Sequence, residues 1–144
     1  MKKQITRALA LFITGIIIGA SQLASAQTAD HVVIDVPFTF TAGERQLPAG
    51  RYTLRRVRPD SAALFIRSED GGESAVVLTG AAAGASRQTK LTFRQYGDQY
   101  FLAGAWAGGA AGGRELPESR RERELRRELS KTGGAVKTVA INIK

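Results

Sequence analysis

The feature that most limits how this chain can fold is a pair of alternating runs, residues 90–96 and 99–106, held apart by Gly97-Asp98. A glycine first in a two-residue loop suits a tight hairpin turn whose twist matches that of the strands. With that turn, Phe93 faces Leu102, Gln95 faces Tyr100 and Arg94 faces Phe101. Leu91, Phe93, Tyr100, Leu102 and Trp106 then share the inner face. A slip of one residue would turn this whole set to water, so turn and pattern specify one register.

The same period recurs along the chain. Over residues 32–41, Val32, Ile34, Val36, Phe38 and Phe40 point one way and Val33, Asp35, Pro37, Thr39 and Thr41 the other. This predicts a half-buried strand. Pro37 has no N–H to donate, so the strand belongs at a sheet edge or carries a bulge there. Residues 51–58 form the next strand, with Tyr52 and Leu54 inward, and Pro59-Asp60 ends it. Residues 62–68 and 74–79 flank Asp70-Gly71. That turn places Ile66 opposite Ala75 and Phe65 opposite Val76. Moving it by one would oppose Asp70 and Glu73, two like charges across a ladder. Both faces of this hairpin carry apolar residues, which predicts strands covered on both sides.

After Gly108-Gly-Ala-Ala-Gly-Gly113, a flexible linker by composition, the period changes. Residues 117–131 combine Pro117, suited to a first turn, with strong helix formers, and Gly133-Gly134 ends the run. Glu122–Arg126 has the favourable four-residue spacing, and Glu118–Arg121, Glu124–Arg127 and Glu128–Lys131 add three-residue pairs. Leu125 and Leu129, with Leu116 just before, make a narrow apolar seam for docking. Val139, Ile141 and Ile143 alternate in a final strand, residues 136–143. The expectation is an all-β fold: an antiparallel β-sandwich or small partly open barrel of about seven strands, with one charged C-terminal helix and a closing strand. A lipocalin-like barrel ranks second, since the chain is short for eight full barrel strands.

The N-terminus reads as an export leader. Lys2, Lys3 and Arg7 precede an apolar run of residues 8–20, and Ala24 and Ala26 sit where a signal peptidase selects small residues. The run is short of the ~20 residues a spanning helix needs. Cleavage after Ala26 would leave a single β-rich domain, residues 27–144, periplasmic or secreted. Without the leader's three basic residues, 18 basic side chains stand against 13 acidic ones, a net charge of +5. Such a charge suits acidic surfaces or simply aids solubility. With no cysteine, the chain lacks disulfides, thiol catalysis and a lipid-modified N-terminus, and depends on packing.

Several phrases occur together: Val36-Pro-Phe-Thr-Phe40, Leu47-Pro-Ala-Gly-Arg-Tyr52, Leu64-Phe-Ile-Arg-Ser-Glu-Asp-Gly71 and Tyr96-Gly-Asp-Gln-Tyr-Phe-Leu102. Gly113-Arg-Glu-Leu-Pro-Glu-Ser-Arg-Arg-Glu-Arg-Glu-Leu125 joins them. In these the chain resembles a family of small exported proteins of unknown function common in acidobacterial-type bacteria. The resemblance implies a signal peptide and a compact domain. It implies no activity, ligand or catalytic residue.

Few side chains point to chemistry. His31 is the only histidine, and no Gly-x-Ser-x-Gly accompanies it. Glu69, Asp70 and Glu73 read as a solvated turn, not a calcium loop. A hydrolase would need two converging carboxylates. Five acidic residues lie among the arginines of residues 115–128, which explain them as salt-bridge partners. No metal, cofactor or nucleic-acid partner is implied. The leading expectation is a non-enzymatic binding or interaction domain of the cell envelope, with a protein or envelope component as partner. Its candidate binding residues are Arg94, Tyr96 and Phe101 on one hairpin face, unless the helix covers that face, and Arg120, Arg123 and Arg127 on the helix. The alternative is a carrier of an apolar small molecule, with Phe38, Phe40, Phe93 and Trp106 lining its cavity. A carboxylate-based hydrolase is the third reading.

Overall fold

The computed structural model describes residues 31–58, 60–84, 86–108 and 112–143. The expected leader lies outside them, as does the middle of the glycine run. The elements are β1 (His31–Val36), β2 (Phe40–Ala42), β3 (Arg45–Leu47), β4 (Gly50–Arg56), β5 (Ala63–Ser68), β6 (Ser74–Leu78), β7 (Gly80–Ala81), β8 (Lys90–Tyr96), β9 (Gln99–Trp106), β10 (Arg114–Glu115), α1 (Arg120–Lys131) and β11 (Lys137–Asn142). They make two sheets with no closed barrel, a sandwich-like all-β fold with a C-terminal helix and strand. One sheet has the order β1-β4-β5-β6. The other runs β11-β8-β9-β10-β7, with the β2–β3 hairpin also joined to β9. No described helix is long and apolar enough to cross a membrane.

The first alternating run serves both sheets. β1 pairs antiparallel with β4, and β2 pairs parallel with β9. Pro37 stands at the break. β1 is an edge strand, where a missing N–H costs no ladder bond. The alternation survives the crossing: Ile34, Val36 and Phe40 are all buried, with Phe38 packed against them.

Strand registers match expectation wherever a tight turn sets them. Ile66 lies opposite Ala75, Phe65 opposite Val76, Phe93 opposite Leu102, Gln95 opposite Tyr100 and Arg94 opposite Phe101. The aromatic residues fill one end of the space between the sheets. Phe38 stacks on Tyr100 with centroids 4.0 Å apart, and Phe93 meets Phe38 and Phe40 edge-on at 5.1 and 5.4 Å. Tyr52 packs edge-on against Phe40, and its hydroxyl donates to the Pro48 carbonyl at 2.6 Å.

Three expectations need correction. The described residues hold eleven strands where about seven were expected, because the first run is divided by Pro37 and β3, β7 and β10 are too short to show periodicity. The β5–β6 hairpin is covered on one face only: Val76 and Leu78 are 62% and 72% exposed. The described helix packs on the other sheet and leaves this face uncovered. Trp106 does not join the inner row of β9. Thr92 pairs with Gly104 while Phe93 pairs with Leu102, so Ala103 is an extra residue, a β-bulge. Past the bulge Ala105 lies opposite Leu91, and Trp106 opposite Lys90, whose Nζ is 5.1 Å from the indole ring centroid.

The helix begins three residues later than its composition suggests. Ser119 is the N-cap: its Oγ accepts the Glu122 N–H at 3.2 Å, and Glu122 Oε2 accepts the Ser119 N–H at 2.8 Å. This capping box satisfies two otherwise orphaned donors and leaves Pro117 and Glu118 outside the helix. At the other end Gly133 takes φ +73°, and the Gly134 N–H donates to the Leu129 carbonyl at 2.9 Å.

Candidate functional site

At the end of the sandwich opposite the aromatic cluster, the two sheets leave a cleft of about 370 Å³. Its position follows from the strand pattern. Val32, Leu54 and Leu64 reach it from β1, β4 and β5, where the inner-face parity places them. Leu91 and Ala105 reach it from the facing sheet, paired across β8 and β9. Leu54, Leu64 and Leu91 belong to the buried core, with Val32 and Ala105 packed against it, so the edge of the core forms the floor of the cleft.

Trp106 also lines the cleft, and two glycines make room for its ring. A Cβ on Gly113 would lie 2.1 Å from Trp106 Nε1, and one on Gly104 2.5 Å from the far edge of the six-membered ring. Real Cβ atoms do not approach that closely, so neither position accepts alanine without moving the indole. The Gly108 N–H donates to Thr89 Oγ1 at 2.9 Å. The glycine run is therefore more than a linker: both of its ends are packed, and the buried one, Gly113, forms part of the cleft.

The charged lining is all of one sign. Among the described residues, Arg55, Arg56 and Arg114 are the charged side chains that line the cleft. Arg55 leans outward, its guanidinium 4.9 Å from the Phe65 ring centroid. Arg56 shares the inward parity of Tyr52 and Leu54 and is half-buried. Arg114 pairs with Ala105 on one side and Ala81 on the other, and so faces the cleft with them.

None of the six residues singled out from sequence lines this cleft. The helix covers the Arg94–Tyr96–Phe101 face, so its residues are packing and not an open patch. Tyr96 and Phe101 are each 2% exposed and meet edge-on at 5.5 Å. Arg94 Nε donates to Glu122 Oε1 at 2.7 Å, and its Nη2 to the Leu116 carbonyl at 3.2 Å. Burial, with Glu122 and Glu118 nearby, pushes the Tyr96 phenol above its ordinary pKa, and its buried hydroxyl has no hydrogen-bond partner. Arg120, Arg123 and Arg127 are exposed. Arg120 pairs with Glu124 at 3.2 Å, and Arg123 donates to the Glu118 carbonyl at 2.7 Å. The expected Glu122–Arg126 pair is replaced: Glu122 faces the sheet, and Arg126 reaches Glu118 at 3.1 Å.

The cavity aromatics also divide. Phe38, Phe40 and Phe93 pack in the core, and Trp106 alone of the four lines the cleft. Sequence reasoning passed over Arg56 and Arg114. Arg56 carried a readable signal, a charge on the buried parity of its strand. Arg114 carried none, because β10 has only two residues. Among the described residues, no group of three or more histidine, cysteine or acidic side chains is placed to hold a metal. Comparison with family models, curated proteins and solved structures returned no match.

Proposed function

We propose that this chain is an exported, non-enzymatic binding domain that carries a small apolar molecule in the cleft between its sheets. The observation that carries the reading is the cleft itself. Its volume of about 370 Å³ lies within the range of small-molecule sites, and apolar side chains from both sheets make its walls. A filled core would have favoured a surface-binding module, and the surface first expected to serve one is beneath the helix. Export is supported by the basic, apolar and small-residue zones of residues 1–26. The carrier differs from the lipocalin-like form considered above in holding its ligand at the open end of a sandwich.

The test uses the chain's single tryptophan. Titration with N-phenylnaphthylamine, a neutral apolar fluorophore, should give saturable binding of one molecule per chain, with energy transfer from Trp106. Ala81→Phe should weaken it, because Ala81 lines the cleft yet is exposed enough to accept a ring without disturbing the core. No saturable binding, or binding indifferent to that substitution, would overturn the reading.

A further inference from the structure

The polar side-chain groups of the cleft have one chemical character. Among its thirteen lining residues the polar side chains are Arg55, whose guanidinium leans out over Phe65, Arg56, Arg114 and Trp106. All are donors, and none can accept a hydrogen bond. Among the described residues no acidic side chain lines the cleft. Arg114 is the most telling. It is half-buried, it sits between β9 and β7 on the cleft side, and its guanidinium has no hydrogen-bond or ion-pair partner among the described residues. Its nitrogens are not shut away from solvent, since Tyr96 Oη is the one fully buried side-chain polar atom without a partner among the described residues. An anionic acceptor on the ligand would give the guanidinium a charge-assisted partner.

We infer that the molecule held between the sheets is an anionic amphiphile, a medium-chain carboxylate whose head pairs with Arg114 while its tail lies along Val32, Leu54, Leu64 and Leu91. This inference rests on the reading of the cleft as a ligand site and adds the chemical class of the ligand. The geometry divides the work. The tail takes the walls supplied by both sheets, and the carboxylate takes the arginine side, where charge-assisted and bidentate hydrogen bonds are about twice as strong as neutral ones. Arg56 lies on the inward parity of the facing sheet and also lines the cleft. The volume, near the lower end for small-molecule sites, favours a short tail over a long one.

The experiment holds the tail constant and varies the head. Decanoate, decanol and decyltrimethylammonium are titrated into the full chain, with Trp106 fluorescence and calorimetry as readouts. Decanoate should bind roughly tenfold or more tighter than decanol, and the cation weakest. Arg114→Gln should bring decanoate down to the affinity of decanol and leave decanol unchanged. Should that variant fail to fold, the unaltered protein answers in another way: raising the salt concentration should weaken decanoate and not decanol. Equal binding of all three, or preference for the cation, overturns the anionic head and leaves the apolar cleft standing. Failure of all three to bind overturns both.

Discussion

Replacing Arg94 by leucine tests whether one buried ion pair holds the helix to the sheet. Arg94 Nε is 2.7 Å from Glu122 Oε1, with the two side chains 21% and 3% exposed. The substitution leaves a carboxylate inside the domain held by the Ser119 N–H, and removes the Arg94 donor to the Leu116 carbonyl. Breaking a buried pair by removing one partner costs about 3–5 kcal/mol. Water reaches one side of Arg94, so the lower end applies, about 3 kcal/mol. That is a large share of the roughly 5–15 kcal/mol that stabilises an ordinary domain. Urea unfolding followed by circular dichroism should show the midpoint fall by about 1–2 M. Adding Glu122→Gln removes the stranded charge, so the double variant should be more stable than additivity predicts. A loss below about 1 kcal/mol, or strict additivity, would refute the argument that this pair, and not the half-buried Leu125 and Leu129, dominates helix docking.

Two further substitutions probe single polar groups. Tyr96→Phe removes a buried hydroxyl that has no partner, so stability at neutral pH should hold or rise. Since the folded phenol ionises above its unfolded value, stability lost as pH climbs past about 10 should also be smaller in the variant, and a clear loss at pH 7 would contradict this. The Asp70 carboxyl accepts from the Ser68 hydroxyl and, at 3.0 Å, from the Gly72 N–H, which hold its pKa below the usual range. Its ionised form therefore supports the fold above about pH 4, and that support fades in stronger acid. Asp70→Asn should flatten the acid side of the stability–pH curve, and chemical denaturation at pH 6 and at pH 2 reads the difference.

How much was legible without coordinates depended on the range of the interaction. Turn chemistry at Asp70-Gly71 and Gly97-Asp98, with alternation on either side, specified the register of β5–β6 throughout and that of β8–β9 from the turn as far as Phe93 and Leu102. Those signals are local, since each needs only a few neighbours in the chain. The capping box of Ser119 and Glu122 was equally local and readable, but Pro117 and the abundance of helix formers pointed to an earlier start. The bulge at Ala103 carried no local mark, and it alone decided that Ala105 and not Trp106 faces Leu91.

From its sequence alone this chain is an all-β protein with a charged helix and a last strand near its end, because period-two burial, turn residues and helix propensity act between near neighbours. The tertiary structure decided which face the helix covers, since that turns on Arg94 meeting Glu122 across 28 positions of chain. It also decided where space remains between the sheets. A cleft is the volume that side chains from β1, β4, β5, β8 and β9 fail to fill together, and such a shortfall is a property of no single segment.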